Sequence, residues 1–247
     1  MKLQRRAVIL SGLVGLSCTS PRRPVASINP RPLATLPTTT LPWLTLRDHF
    51  VATVGPSAGQ GKPLGPLLVL ADATFSPRSR FPLHPHRDME ILSVVLEGDM
   101  SHHGDGANGS VVRPRGAQLI SSRDGMRHAE GNDTDAKTRM LQIWFKPVTH
   151  GGVPAYFYRQ LPEDAGQHLV AGDDGMPLRC DARVWWVDVK GRRTLEVAAG
   201  RRGYLLAISG PLQAGVATLA TGEGAQLEHG ELTVEGQGAA LWVDLAG

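Results

Sequence analysis

The sequence is poor in cysteine, which limits its covalent and redox chemistry. Its 247 residues include only two cysteines, Cys18 and Cys180. Because Cys18 falls in a segment that we expect to be removed, Cys180 would be alone in the mature chain, and no internal disulfide could form. The sequence also lacks a phosphate-binding loop and the Gly-x-Ser-x-Gly pattern of a nucleophilic serine. Nucleotide-binding and serine-hydrolase functions therefore have no support.

Long apolar runs and aromatic residues are also scarce. No run approaches the ~18 apolar residues of a membrane-spanning helix, and aromatic residues make up 5% of the chain. Glycine (29) and proline (18) are plentiful. This composition is typical of many short strands joined by turns, and it favours an all-β protein.

The N-terminal segment predicts an export signal over residues 1–26. A basic start with Arg5 and Arg6 precedes a short apolar stretch, as in signal peptides, and the arginine pair is similar to a twin-arginine signal. The protein would then be periplasmic, and it would be lipid-anchored through Cys18 if the segment is a lipoprotein signal. If the segment is not a signal, we expect a cytoplasmic protein.

The positive charge of the chain lies mostly in this segment. Residues 1–26 carry five Lys or Arg residues and no acidic residue. Their removal lowers the formal net charge from +3 by five, to −2. Because nucleic-acid binding needs a basic face, we expect no nucleic-acid partner.

Two short stretches have the residue types and spacing of a metal site. His84 and His86 stand on either side of Pro85, and His128 and Glu130 have the same i, i+2 spacing. On a strand, residues i and i+2 project from the same face. Three imidazoles and a carboxylate suit a divalent first-row metal that keeps positions open for water or substrate. Zinc also accepts these donors, so the residue types leave the metal open.

The metal-site residues also carry a resemblance to a known family. The run HPHRDMEILSVVLEG, from His84 to Gly98, resembles the signature of the pirin family of cupins, and is nearest to its quercetin 2,3-dioxygenase-like bacterial branch. Gly125–Glu130 resembles the family's second metal-binding segment, and Leu141–Pro147 its following strand. The resemblance covers about residues 67–154. It implies a bicupin with one mononuclear metal, usually iron, held by His84, His86, His128 and Glu130.

The family resemblance implies an activity as well as a ligand set. A dioxygenase of this kind would open the ring of a flavonol or related enol with O2, and Glu130 would take the proton of the substrate hydroxyl. Fe(II) is the expected metal, with Zn, Mn, Ni, Co and Cu as alternatives. A non-catalytic, metal-dependent binding or redox-sensing module would use the same ligands, so it stays open as a second function.

Other polar residues near these motifs have competing interpretations. Glu90 is a rival carboxylate ligand, because many cupins place the acidic ligand just after the histidine pair and Glu90 has the parity of both histidines. The pirin pattern favours Glu130 and would leave Glu90 as a hydrogen-bonding partner of the ligands. His102 and His103 are neighbours that point to opposite faces, so we expect an exposed hairpin pair. Arg87 and Arg127 flank the ligands and could attract anions.

The chain divides into four predicted parts. A signal (residues 1–26) and a Pro/Thr-rich linker (27–42) precede a metal-binding barrel (43–150) and a second barrel (151–247). Three segments of the second half echo the first half in the same order: Tyr204–Gly210 echoes Ile91–Gly98, Gly224–Leu227 repeats Gly116–Leu119, and Leu241–Leu245 echoes Leu141–Phe145. Because no His-x-His accompanies the second copy, we expect a degenerate, metal-free barrel. We also expect a monomer.

Overall fold

The computed structural model describes residues 23–247 of the chain. Within this range the protein consists of twenty β-strands and one short 3₁₀ turn, Leu33–Thr35. The strands form two barrels, which confirms the predicted all-β bicupin. No helix in the described residues is long and apolar enough to cross a membrane. The proposed signal lies largely outside this range, since it covers residues 1–26.

The first barrel has two sheets. Its strands are β2 (Thr38–Leu41), β3 (Leu44–Asp48), β4 (Leu67–Phe75), β5 (Ser79–Arg80), β6 (His84–His86), β7 (Glu90–Glu97), β8 (Met100–Gly104), β9 (Ser110–Val112), β10 (Gly116–Ser121), β11 (Met126–Asn132), β12 (Thr138–Phe145) and β13 (Ala155–Gln160). One sheet has the order β13-β10-β7-β12-β4-β3-β2. The other has the order β5-β11-β8-β9, with β6 also paired to β11.

The second barrel is built from one eight-stranded sheet. Its strands are β1 (Ile28–Arg31), β14 (Gln167–Ala171), β15 (Ala182–Val197), β16 (Arg201–Ser209), β17 (Leu212–Ala214), β18 (Ala217–Leu219), β19 (Gly224–Leu227) and β20 (Gly230–Ala246). The main order is β1-β19-β16-β20-β15-β14, and β17 joins both β18 and β20. β15 and β20 are 16 and 17 residues long and stay paired along their length.

The seven-stranded sheet is buried on both faces. In β12, successive side chains point alternately into two different cores. Met140 packs in the interior of the first barrel. Leu141, Ile143 and Phe145 point the opposite way and join a core shared with residues of the second barrel, such as Leu206. A strand covered on both faces reads as a nearly continuous apolar run. Polar residues on its inner face therefore stand out as candidates for function.

The three echoed segments occupy matching places in the two barrels. β10, β7 and β12 are neighbours in that order in the first barrel, and β19, β16 and β20 are neighbours in the same order in the second. All the pairings are antiparallel. The sequence echoes therefore correspond to equivalent strands.

The chain does not divide between the barrels as the sequence suggested. Residues 27–42, expected to be a linker, contain β1, which pairs with β19 of the second barrel, and β2, which pairs with β3 of the first. β13 follows the predicted boundary at residue 150 but pairs with β10 of the first barrel. Ala26, at the expected end of the signal, is buried and donates its backbone N–H to Glu231 at 2.9 Å. Each barrel therefore takes a strand from the other half of the chain, and proline-rich composition did not prevent pairing at sheet edges.

Candidate metal centre and its cavity

Pairing between β6 and β11 brings the two predicted metal motifs together. His84 lies directly opposite His128, and His86 lies opposite Met126. The ring centroids are 4.7 Å apart for His84 and His128, 4.8 Å for His84 and His86, and 5.0 Å for His86 and His128. One nitrogen from each of the three rings lies within 4.8 Å of the other two. The three predicted histidines therefore converge on one point.

The hydrogen bonding of these rings leaves nitrogens free for a metal. His84 Nδ1 lies 2.8 Å from the carbonyl oxygen of Pro82, so it carries the proton and Nε2 keeps its lone pair. His86 Nε2 and both ring nitrogens of His128 are buried without a hydrogen-bond partner in the described residues. Such orphaned nitrogens are costly unless a ligand satisfies them. The donor set fits a divalent metal ion.

The surroundings favour the neutral imidazoles of His86 and His128, as metal ligation requires. Burial, followed by the neighbouring His128 and His84, lowers the pKa of His86 to about 4. Burial also lowers the pKa of His128. A neutral imidazole offers its lone pair at physiological pH, whereas a protonated one cannot bind a cation.

Glu130 follows His128 on the same face of β11 and is fully buried beneath three hydrogen-bond donors. Ser93 Oγ donates to Oε1 at 2.6 Å, and Gln118 Nε2 donates to the same oxygen at 2.5 Å. Gln142 Nε2 donates to Oε2 at 3.0 Å. Burial by itself would raise the pKa of Glu130, but His128 and the Ser93 hydrogen bond outweigh it and lower the pKa. The carboxylate is therefore held ionised beside the histidines.

The three donors to Glu130 were not identified from the sequence. They come from neighbouring strands of the seven-stranded sheet, where Gln142 pairs with Ser93 and Ser93 pairs with Gln118. Tyr156 extends the array by donating to Gln118 Oε1 at 3.2 Å. The sequence did contain an indication of their role, because each donor is a polar residue within an apolar strand. Such residues are seldom buried without a hydrogen-bond partner.

Glu90 faces away from the histidines. Ser121 Oγ donates to its Oε1 at 2.5 Å, and the backbone N–H of Arg179 lies 3.4 Å from Oε2. Burial raises the pKa of Glu90, although the Ser121 hydrogen bond opposes the rise. The even spacing between His86 and Glu90 does not place their side chains on one face. After β6 the chain passes through a positive φ of 48° at Asp88, and Glu90 begins a strand of a different sheet. The expected hydrogen bond from a ligating histidine to Glu90 is not among the contacts of this carboxylate.

The expectation of an exposed His102–His103 pair is wrong for His102. This residue is 0% exposed, pairs with Glu130 across the β8–β11 ladder and lies 5.3 Å from His128 between ring centroids. Its Nε2 bonds to the Asp105 carbonyl at 2.9 Å. His103 points to the other face, where it bonds to Asp133 at 2.8 Å. The two do point in opposite directions, but one of them packs beside the metal centre.

A cavity of about 370 Å³ opens beside the histidines inside the first barrel. His84, Glu130 and Gln142 form its polar wall, and Trp43 and Trp144 are among the apolar residues of the remaining wall. This volume lies within the range of small-molecule sites, which are mostly apolar with a few placed polar groups. The indole N–H of Trp144 is buried without a partner in the part of the chain that the structure describes, and its ring packs edge-on against His86 at 5.0 Å. The cavity can accommodate a planar, largely apolar molecule with a polar group at the metal end.

The outer side of the site is an open depression of about 460 Å³. Arg87 and Arg127, which we expected to flank the ligands, line it together with His86, Asp105 and Asp124. The two acidic residues balance the two arginines. The depression is therefore of mixed charge, which gives weak support to the expected attraction of anions.

His168, His229 and Cys180 have structural surroundings. His168 and His229 bond to the backbone carbonyls of Asp164 and Val197 at 3.0 and 3.2 Å. Cys180 packs against the core between the barrels, and burial raises the pKa of its thiol to about 12. A thiol with so high a pKa is a poor nucleophile and a poor metal ligand.

Comparison with known proteins identifies the family of the chain. The family model described as Pirin matches residues 35–145. A pirin-like protein of Caulobacter vibrioides is 31% identical over 198 residues, which are 75% of this chain and 84% of that protein. A protein of Escherichia coli K12 named quercetin 2,3-dioxygenase is 31% identical over 151 residues, 58% of this chain and 65% of that protein.

A solved structure has the same fold. The bacterial pirin YhhW from Escherichia coli, in complex with nickel(II), matches with a TM-score of 0.82 at 24% identity, over 89% of this chain and 99% of that chain. The metal motifs, the paired barrels and the extended identity to a pirin-like relative agree with one another. This chain belongs to the pirin family of bicupins.

Proposed function

We propose that the protein is a metal-dependent dioxygenase that acts on a flavonol or related enediol with O2. The observation that carries the proposal is that His84 and Glu130 line the same largely apolar cavity. A bound metal would thus face a space suited to a planar aromatic molecule. The 31% identity to a protein named quercetin 2,3-dioxygenase supports the same substrate class.

His84, His86, His128 and Glu130 would hold one divalent metal ion per chain. Fe(II) is the metal we propose, and Zn, Mn, Ni, Co or Cu suit the same donors. A metal bound there would lower the pKa of a substrate hydroxyl and bring that substrate and O2 together. Glu130 would contribute a negative charge that offsets part of the charge of the metal ion.

The residues of the chain would orient the substrate and receive its proton. The apolar walls, with Trp43 and Trp144, would bind the aromatic rings and exclude water. Glu130 would use Oε2 either to bind the metal ion or to accept the hydroxyl proton. This oxygen receives one hydrogen bond, from Gln142, whereas Oε1 already receives two, from Ser93 and Gln118. Oε2 therefore has the greater remaining capacity to bind a proton or a cation.

The test is O2 consumption by reduced, Fe-loaded protein with quercetin. We expect uptake of O2 and release of carbon monoxide, which distinguishes ring cleavage from simple autoxidation. His128→Ala is the control, because it removes one imidazole without changing the apolar core. If Fe-, Mn-, Co-, Ni- and Cu-loaded proteins all show no uptake above this control across a panel of enediols, the dioxygenase proposal fails. A non-catalytic metal-dependent binding module would then replace it.

A further inference from the structure

Tyr156 is a half-buried tyrosine that the proposed metal chemistry does not use. It stands on β13, the end strand of the seven-stranded sheet, beyond the strands β12, β7 and β10 that carry the donors to Glu130. Its phenolic oxygen contacts one side chain of β9 and one of β10. This placement indicates a role that is exerted through neighbouring side chains.

Tyr156 satisfies one end of the amide that holds Glu130. Its phenolic O–H donates to Oε1 of Gln118 at 3.2 Å. Because Gln118 is 0% exposed, this carbonyl oxygen needs a donor from within the barrel. The other end of the amide, Nε2, donates to Oε1 of Glu130 at 2.5 Å. The opposite amide orientation would place a carbonyl oxygen against the carboxylate, so Tyr156 favours the orientation that supports Glu130.

A second hydroxyl group completes a directed series of hydrogen bonds. Ser110 Oγ lies 3.3 Å from the phenolic oxygen of Tyr156. A phenol has one proton, and Tyr156 gives it to Gln118, so Ser110 is the donor in this contact. The series therefore begins at Ser110 and ends at Glu130. Hydrogen bonds in a buried series polarise and strengthen one another, so a change at Tyr156 should be felt at the carboxylate.

We propose that Tyr156 is a positioning residue of the metal centre, which acts through Gln118 to hold Oε1 of Glu130 in place. Oε2 is then left for the metal ion or the substrate proton. The inference deepens the proposed function and rests on it for the role of Glu130. It makes metal affinity depend on a hydroxyl group that comes from the chain beyond residue 150.

Tyr156 has a second contact near the metal centre, which the test must separate from the first. Its ring packs against His102 with centroids 5.4 Å apart, and His102 lies 5.3 Å from His128. The aromatic ring makes this contact, whereas the hydroxyl group makes the bond to Gln118. A phenylalanine at position 156 would keep the ring and lose only the hydroxyl.

The test measures metal affinity and ligand geometry in the full chain. We expect Tyr156→Phe to bind Zn(II) about tenfold more weakly in competition with a chelator, at the lower end of the range for groups that support a metal ligand. The absorption spectrum of Co(II)-loaded protein should also change, because it reports the geometry of the ligands. Tyr158→Phe is the matched control. The hydroxyl of Tyr158 bonds to Gln160 at 2.7 Å on the exposed part of the same strand, so both readouts should stay unchanged.

A double variant tests whether the effect passes through Gln118. Gln118→Leu should weaken Zn(II) binding by about 10- to 100-fold. Tyr156→Phe should add no further loss in the Gln118→Leu background, because the shared route is already broken. Additive losses would overturn the inference, and so would equal affinities in Tyr156→Phe and Tyr158→Phe. A weaker affinity with an unchanged Co(II) spectrum would assign a general structural role to Tyr156 and would also overturn it.

Flavonol turnover is measured separately on Fe-loaded wild-type protein. Its absence, together with the expected pattern of Zn(II) affinities and Co(II) spectra, would support the role of Tyr156 and fail the proposed dioxygenase function alone.

Discussion

His84 and His128 are direct cross-strand partners, with ring centroids 4.7 Å apart. The relationship matters because the two residues belong to motifs separated by several strands in the sequence. A short strand, β6, is held against β11 and supplies two of the three converging histidines. The metal centre therefore depends on a three-residue pairing, and its geometry should be sensitive to that ladder.

Removal of the histidine pair should abolish metal binding. We expect about one divalent metal per chain in the wild type, and almost none in the double variant His84→Ala plus His86→Ala, because three converging imidazoles are reduced to one. Elemental analysis of purified protein gives the stoichiometry. The matched control is His168→Ala plus His229→Ala in the second barrel, which should retain full occupancy. Two metals per chain, or a loaded His84/His86 variant, would contradict this placement.

The two buried glutamates should differ sharply in their effect on metal affinity. Glu130→Gln should lose most of the metal, because a neutral amide is a poorer donor beside the histidines. Glu90→Gln should weaken binding by at most ~10- to 100-fold, since Glu90 bonds to Ser121 rather than to a histidine. Competition with a chelator measures both dissociation constants. The opposite order would reassign the carboxylate ligand to Glu90.

The hydrogen bond from Gln142 to Glu130 should tune the metal site. Gln142→Leu removes the donor to Oε2 while keeping a side chain of similar size, so we expect metal affinity to fall by ~10- to 100-fold. Gln213→Leu, at an exposed position of β17, is the control and should bind metal as the wild type does. Equal affinities in the two variants would show that Gln142 does not support the ligand.

Asp48 should make the stability of the protein depend on pH. Its pKa is raised from 3.8 to about 7 by burial, so the folded state holds the proton more tightly than the unfolded chain. Its contribution to stability is fully present below pH 3.8 and is lost as the pH rises through 7. Asp48→Asn should therefore gain stability relative to the wild type as pH rises from 4 to 8, by about 3–4 kcal/mol at pH 8, since each unit of pKa difference corresponds to about 1.4 kcal/mol.

Denaturant unfolding at several pH values measures this difference. Asp174→Asn, in an exposed loop, is the control and should show no such trend. A stability difference between wild type and Asp48→Asn that stays constant from pH 4 to pH 8 would show that Asp48 does not titrate in this range.

We propose export for the N-terminal segment, with residues 1 to about 26 absent from the protein in its native host. Mass spectrometry of the mature N-terminus identifies the cleavage position. A diacylated Cys18 would select the lipoprotein form. An intact peptide from Met1 to Arg23 in a cytosolic fraction would contradict export.

The sequence by itself predicted the all-β fold and the three histidines that converge. Both are local patterns: turn-rich composition accompanies short strands, and i, i+2 spacing directs two side chains to one face whatever the rest of the fold does. The resemblance carried by residues 84–98 added the family, which the comparisons confirm.

Tertiary structure decided what local spacing could not. Glu90 shares the parity of His86, yet a change of sheet between them turns its carboxylate toward Ser121. His102 looked like a hairpin residue, but its strand packs against β11 and buries it beside His128. Residues 27–42, expected to be a linker, contain two strands that the sequence did not predict. Their pairing with β19 and β3 is shown only by the structure. Asp48 is an ordinary acidic residue at a strand end in the sequence, and only the tertiary structure shows that its carboxyl group is buried. Strand pairing between distant segments is set by the burial of whole sheet faces, and no short stretch of sequence contains that information.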